Sequence, residues 1–269
     1  MTIQVYIVIA LTFVISMIGT LAYSVRVVGI KTGRIAIAFS VFNVFALISR
    51  TANSFQAPLL AKSVESSIRS GQSDGLILVF RCILLSATAA TIFGAFLLPT
   101  FIRVFSKAVE SFSFHRSIPR LLIHGFSKSG IEQFKSSMTI PRKENFSQFT
   151  NLRRIPKKIV VLNILATSIS SAGVLAALYA GALIPDFRST CITLSSVING
   201  ISTIIIFIFV DPYISMLTDD VIRGKCSEQY FHRIIIYIVT GLILGTVFSQ
   251  ILLLPAAKLI AFVAQLIPG

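Results

Sequence analysis

One arginine stands alone deep in an apolar run. Arg50 follows Arg34 by sixteen residues, and the segment between them carries no charge. Sixteen helical residues rise about 24 Å, so a bilayer-crossing helix that starts near Arg34 holds Arg50 inside a hydrocarbon core of roughly 30 Å. A guanidinium there costs at least about 2.5 kcal/mol unless water, an acid or an anionic ligand meets it. Its planar fork of donors fits phosphate and carboxylate oxygens two at a time. The residues that follow extend this polarity. Thr51, Asn53, Ser54 and Gln56 bring hydrogen-bonding groups, with Asn53 and Gln56 about one and two turns beyond Arg50. Pro58 is expected to break the helix. Such a stretch suits the wall of a wet cavity better than contact with lipid. The plainer account ends the helix early and lets Arg50 snorkel to the interface.

Other polar residues are candidates by position. Arg81 opens a later apolar run and either joins Arg50 in an anion clamp or anchors its helix at the interface. Arg26 closes the first apolar run, as a ligand-binding cation or as an ordinary boundary charge. In the second half Asn199 and Asp211 are the polar counterparts, and Asp211 also suits a helix N-terminus before Pro212. Catalytic signatures are missing from the sequence. His115, His124 and His232 lie in or beside polar segments, and no His-Glu-x-x-His, Gly-x-Ser-x-Gly or phosphate-loop pattern occurs. Cys82, Cys191 and Cys226 are too far apart in sequence for a zinc or disulfide signature. Neither a metal nor another cofactor is implied.

The elements that must position these residues are membrane spans. The 269 residues are 55% hydrophobic and 13% charged, about half the charge of an ordinary soluble domain. Six runs are long enough to cross a bilayer: Ile3–Val25, Ile35–Ala61, Leu76–Ile102, Ile159–Ile184, Ser189–Val210 and Ile234–Ala257. With the N-terminus outside, 18 of the 24 Lys and Arg residues fall on the cytoplasmic side and only Lys62, Arg69, Arg188 and Lys258 outside, the asymmetry of the positive-inside rule. Both termini are therefore expected outside. The net charge of +14 then belongs to cytoplasmic loops facing anionic lipid rather than to nucleic-acid binding. The central loop, 103–158, holds twelve basic residues. Phe101, Phe105, Ala108 and Phe112 share one helical face, and Ile118, Leu121, Leu122 and Phe126 repeat the pattern. These are amphipathic helices for the membrane interface or for the cytoplasmic ends of the spans.

The chain also repeats itself. Pro58 and Pro212, Arg34 and Arg188, Ile68-Arg69 and Ile222-Arg223, and Ser73-Asp74 and Ser227-Glu228 all match at one offset of 154 residues. The expected organisation is therefore a first three-helix repeat, 1–102, the basic loop, 103–158, and a second three-helix repeat, 159–269. Three spans per unit is an odd number, so the second unit enters the membrane from the opposite side. The expected fold is an all-α polytopic membrane protein of two inverted repeats. Transporters are often built so, with substrate at the joint between the halves.

At Ser49-Arg50-Thr51-Ala52-Asn53-Ser54-Phe55-Gln56-Ala57-Pro58-Leu59-Leu60-Ala61-Lys62 the sequence resembles the Amj family of bacterial lipid II flippases, an alternate to the MurJ type. Met1–Val5 and Gly19–Arg26 are similar too, as is the overall length. The resemblance implies movement of undecaprenyl-pyrophosphate-linked disaccharide-pentapeptide across the cytoplasmic membrane. Arg50, with Arg81 or Arg26, would meet the pyrophosphate, and Asn53, Gln56 and Asn199 would bond sugar or peptide. It supplies no established site residues. A transporter of another anionic or polyprenyl-phosphate lipid, or a membrane scaffold built on the basic loop, would use the same residues, and a homo-oligomer is compatible with them.

Overall fold

The computed structural model describes residues 3–69, 74–115 and 156–267. Every regular element among them is helical. Helix α1 (Ile3–Leu21) and α2 (Ser24–Thr32) form one interrupted rod. At the break the Ser24 hydroxyl donates to the Leu21 carbonyl at 2.6 Å, a local bond that competes with the helical ladder. Gly33 caps α2 at φ 67°, a left-handed position that glycine adopts without strain. Helix α3 (Ile35–Arg69) and α4 (Asp74–His115) follow. After residue 155 come α5 (Lys157–Leu183), a 3-10 turn (Pro185–Phe187), α6 (Arg188–Ile205), a π-helical turn (Ile206–Val210), α7 (Asp211–Ile222) and α8 (Glu228–Leu266). Ser227 opens α8 by accepting from the Tyr230 amide at 3.3 Å, with Glu228 in the first turn, where an acid is favourable.

These helices make six segments long and apolar enough to cross a membrane. Most overrun the apolar runs of the sequence. Hydropathy marks the bilayer crossing, whereas the helix continues as long as its backbone bonds are satisfied. Helix α4 has 42 residues, about 63 Å at 1.5 Å each, twice the hydrocarbon thickness. Its C-terminal part is the first of the two expected amphipathic stretches. Phe105 and Val109 are buried there with Val28 of α2 and Phe42 of α3, and Phe105 meets the Phe42 ring edge-on at 6.4 Å. The stretch up to Val109 is thus a packed end of the third span. Ile118, Leu121, Leu122 and Phe126 lie outside the described residues.

Pro58 does not break its helix, as the sequence led us to expect. Helix α3 runs through it to Arg69, losing one amide donor but keeping neighbouring turns on both sides.

The contacts fix the directions of the spans. Helices α1 and α4 run parallel, with Ile9 beside Ser86 and Thr20 beside Gly94. Helices α5 and α8 do the same, with Asn163 beside Ile238 and Thr167 beside Gly245. One end of the bundle therefore gathers Lys31, Arg103, Lys157 and Arg223, and is called the basic end below. The two long halves also match in register. Helices α4 and α8 begin at 74 and 228, α1 and α5 at 3 and 157, and the second and fifth spans run 35–69 and 188–222. Each pair is offset by 153 or 154 residues.

Candidate functional site

Arg26 and Asp211 lie 185 residues apart in sequence and meet at 3.3 Å. Arg26 projects from α2, and Asp211 is the first residue of α7, held against it just after the π-helical turn. The same Arg26 nitrogen is 3.4 Å from Ser215 Oγ, and the guanidinium sits 5.6 Å from the centre of the Phe39 ring on α3. Such a face-on cation is held by the ring quadrupole. Asp211 is therefore an ion-pair partner as well as a helix-opening residue, and Arg26 is more than a boundary charge.

A second ion pair joins the halves toward the other end. Arg188, at the start of α6, approaches Glu65 Oε1 at 3.2 Å and donates to the Ala61 carbonyl at 3.4 Å. Neither Glu65 nor this role of Arg188 was read from the sequence. The signal present was weak, an acid one helical turn after Ala61 in a short outer segment that holds two bases and two acids.

Between these two contacts α3 presents one stripe. Phe39, Asn43, Arg50, Asn53, Ala57 and Ala61 recur at helical spacing on a single face. Phe39 touches the first ion pair and Ala61 the second. Asn43, Arg50, Asn53 and Ala57, in between, are all exposed. The Arg50 guanidinium has no hydrogen-bond or ion-pair partner among the described residues, while the Arg50 carbonyl accepts from Ser54 Oγ at 3.1 Å. Gln56 turns aside and donates to Thr12 Oγ1 on α1 at 2.8 Å, so it braces α3 on α1. Arg81 is half-buried on α4, and no contact brings its guanidinium to Arg50 among the described residues. Its carbonyl accepts from Gln250 of α8 at 3.0 Å. Asn199 is half-buried on α6 toward α5, where its side-chain oxygen lies 3.4 Å from the place a side chain at Gly173 would occupy. The structure therefore brings Arg26 to Asp211 and aligns Arg50 with Asn53, and no contact among the described residues joins Arg81 or Asn199 to that stripe.

A second feature lies between α4 and α8. They touch at Arg81 and Gln250, and toward the basic end a groove of about 420 Å³ opens between them. Ile92 and Phe96 of α4 face Ile236 and Ile243 of α8 across it. Val27 of α2 closes its floor, and Lys31, Arg103, Gln229 and His232 ring its mouth. The groove was not foreseen, because its walls are the same residue types as any lipid-facing surface.

Such an arrangement defines a polytopic helical membrane protein whose polar groups concentrate at the joint between two halves. The chain belongs to the Amj family, described as "Alternate to MurJ", whose model matches residues 11–264. It is 37% identical over 268 residues to the "Lipid II flippase Amj" of Bacillus subtilis (strain 168), covering 98% of each chain. No solved structure matches it.

Proposed function

We propose that this protein is a lipid II flippase of the bacterial cytoplasmic membrane, a transporter and not an enzyme. The observation that carries this reading is the 37% identity, along 98% of both chains, to a protein named for that activity. The residues suit the cargo. A pyrophosphate is doubly negative and needs cations inside the bilayer, and Arg50 is an uncovered cation on a polar stripe. Asn53 beside it suits the hydroxyl and amide groups of a sugar-peptide head.

The basic end is the cytoplasmic one in this reading, which places both termini outside. The loop 103–158 then lies where anionic lipid is richest. The two three-span units are inverted repeats. The shared offset of the helix starts supports this. Inverted halves can rock against each other and expose a central site to either side in turn. The Arg26–Asp211 and Arg188–Glu65 pairs sit at successive depths of the joint, as braces that such rocking must break and remake. Consumption of lipid II outside suffices to drive net movement.

The test is rescue of wall synthesis in bacteria depleted of their other lipid II flippases, with the native chain and Arg50→Gln at matched membrane abundance. The expected result is rescue by the native chain and loss of about tenfold or more in plating with Arg50→Gln, the scale of one stranded charge-assisted contact. Equal rescue by both would return Arg50 to a structural role. Rescue by neither would remove lipid II as the cargo.

A further inference from the structure

The groove between α4 and α8 has a direction that an ordinary lipid-facing furrow lacks. Its charged residues sit at one end only. Lys31 comes from α2, Arg103 from α4, and Gln229 and His232 from α8, so three helices converge their polar ends on one mouth. Lys31 and Arg103 are both exposed there, and neither has an ion-pair partner among the described residues. Away from the mouth the walls are aliphatic and aromatic except for Thr240, whose hydroxyl is spent on the Ile236 carbonyl at 2.9 Å. The shape is amphipathic along its axis, apolar within and cationic at the rim.

Its size sets what fits. On α4 the lining runs from Ile92 to Arg103, eleven residues or about 16 Å. That is close to half of a roughly 30 Å hydrocarbon core, so the groove spans one leaflet. A volume of about 420 Å³ is in the range of small-molecule sites and holds a few branched C5 units, not a whole long tail. Flexible apolar chains with a doubly anionic end match both the walls and the rim.

We infer that this groove is the loading site for the cargo: the isoprene units next to the head group lie between α4 and α8, and Lys31 with Arg103 holds the pyrophosphate at the mouth. The assignment rests on the flippase reading above for the identity of the lipid. It gives the basic end a function separate from that of Arg50. The rim captures the lipid from its own leaflet, and the α3 stripe serves the head group during passage. The distal tail stays in the bilayer, and no bond is made or broken.

The experiment measures binding of undecaprenyl pyrophosphate and of undecaprenol, which lacks the phosphates, to the full chain in lipid nanodiscs. Four forms are compared: the native chain, Lys31→Gln with Arg103→Gln, Thr240→Phe, which fills the groove from α8, and Leu85→Phe, on the exposed face of α4 outside it. The native chain is expected to prefer the pyrophosphate by about tenfold or more, as paired cations on phosphate do. The double glutamine variant should lose that preference and keep undecaprenol binding. Thr240→Phe should weaken both lipids, and Leu85→Phe neither. An unchanged preference in the double variant, or no binding of undecaprenyl pyrophosphate by the native chain, overturns the assignment. The two readings fail separately. Groove binding with no rescue of wall synthesis leaves the groove standing and removes the flippase. Rescue that survives the groove variants, with their lipid binding intact, does the reverse.

Discussion

Helix α8 has two principal neighbours on the joint side, and it meets them in opposite ways. Against α5 it is welded. Gly241 and Gly245 bring the backbones together so closely that a side chain at Gly245 would lie 2.6 Å from Thr167 Cβ and 3.0 Å from the Ile164 carbonyl. The Asn163 amide donates to the Ile238 carbonyl at 2.9 Å, and Ser168 Oγ reaches the Gly245 carbonyl at 3.0 Å. In lipid no hydrophobic force pulls helices together, so small residues and such bonds make the joint. Against α4 the same helix is closed at one end only. Phe80, Ile83 and Leu84 of α4 share a buried cluster with Leu253 and Ala257 of α8, and toward the basic end the two helices part around the groove. In the proposed rocking mechanism the α5–α8 seam belongs inside one half and the α4–α8 seam between the two.

The largest effect should come from breaking the weld. Gly245→Val drives a branched side chain into backbone that cannot yield, where overpacking costs about 1–3 kcal/mol or more. We expect near-complete loss of folded protein from the membrane fraction and a lowered Tm in detergent. Gly200→Val on α6, where nothing lies within 4 Å of the added carbon, should be neutral. Normal abundance of Gly245→Val would mean that the weld is an ordinary contact.

The ion pairs come next. Arg26 and Asp211 expose 15% and 34% of their side chains, against 25% and 47% for Arg188 and Glu65. The better-shielded pair feels less screening, so stranding its acid should cost more. In the rescue assay Arg26→Gln should lose about tenfold and Arg188→Gln about threefold, with Arg26→Gln plus Asp211→Asn partly restored. Equal losses, or a double variant no better than the single, would show that the braces do not work as pairs.

The smallest effect should appear at the closed end of the α4–α8 seam. Gln250→Leu removes one hydrogen bond to the Arg81 carbonyl, worth about 0.5–1.5 kcal/mol net. Alkylation of the half-buried Cys82 next to it should then rise about two- to tenfold. Cys226 at the basic end serves as an internal reference. Burial, and secondarily the nearby Asp220 carboxylate, push its thiol above the ordinary range. The thiolate is the reacting form, so its labelling should still be climbing at a pH where an exposed thiol has levelled off, equally in both forms. Unchanged Cys82 labelling would place no opening at that seam.

The sequence made the spans legible and their partnerships much less so. A bilayer demands about twenty apolar residues per crossing, which is a local signal, and all six crossings carried it. Helix ends were less legible, because Arg69 and His115 continue their helices in water, where hydropathy is silent. Arg50 and Asn53 could be placed on one face by spacing alone. The pairing of Arg26 with Asp211 could not, since it depends on how two helices cross. Arg81 was legible as a cation at the start of a span, but the bond from Gln250 to its carbonyl was not, since it too depends on how two helices cross. The groove left no local trace at all.

The π-helical turn Ile206–Val210 matters most for what it does to phase. A π-turn takes up one residue more than an α-turn, and one residue is about 100° of rotation. Before it, Ser202 donates to Ala166 and keeps α6 in step with α5. After it, Asp211 faces Arg26. One span thus answers to two different clocks, and the turn is where they are reconciled. Deleting a single residue between 206 and 210 would restore an unbroken helix and swing the acid about a quarter-turn off its partner. In this span, length is specified to the residue.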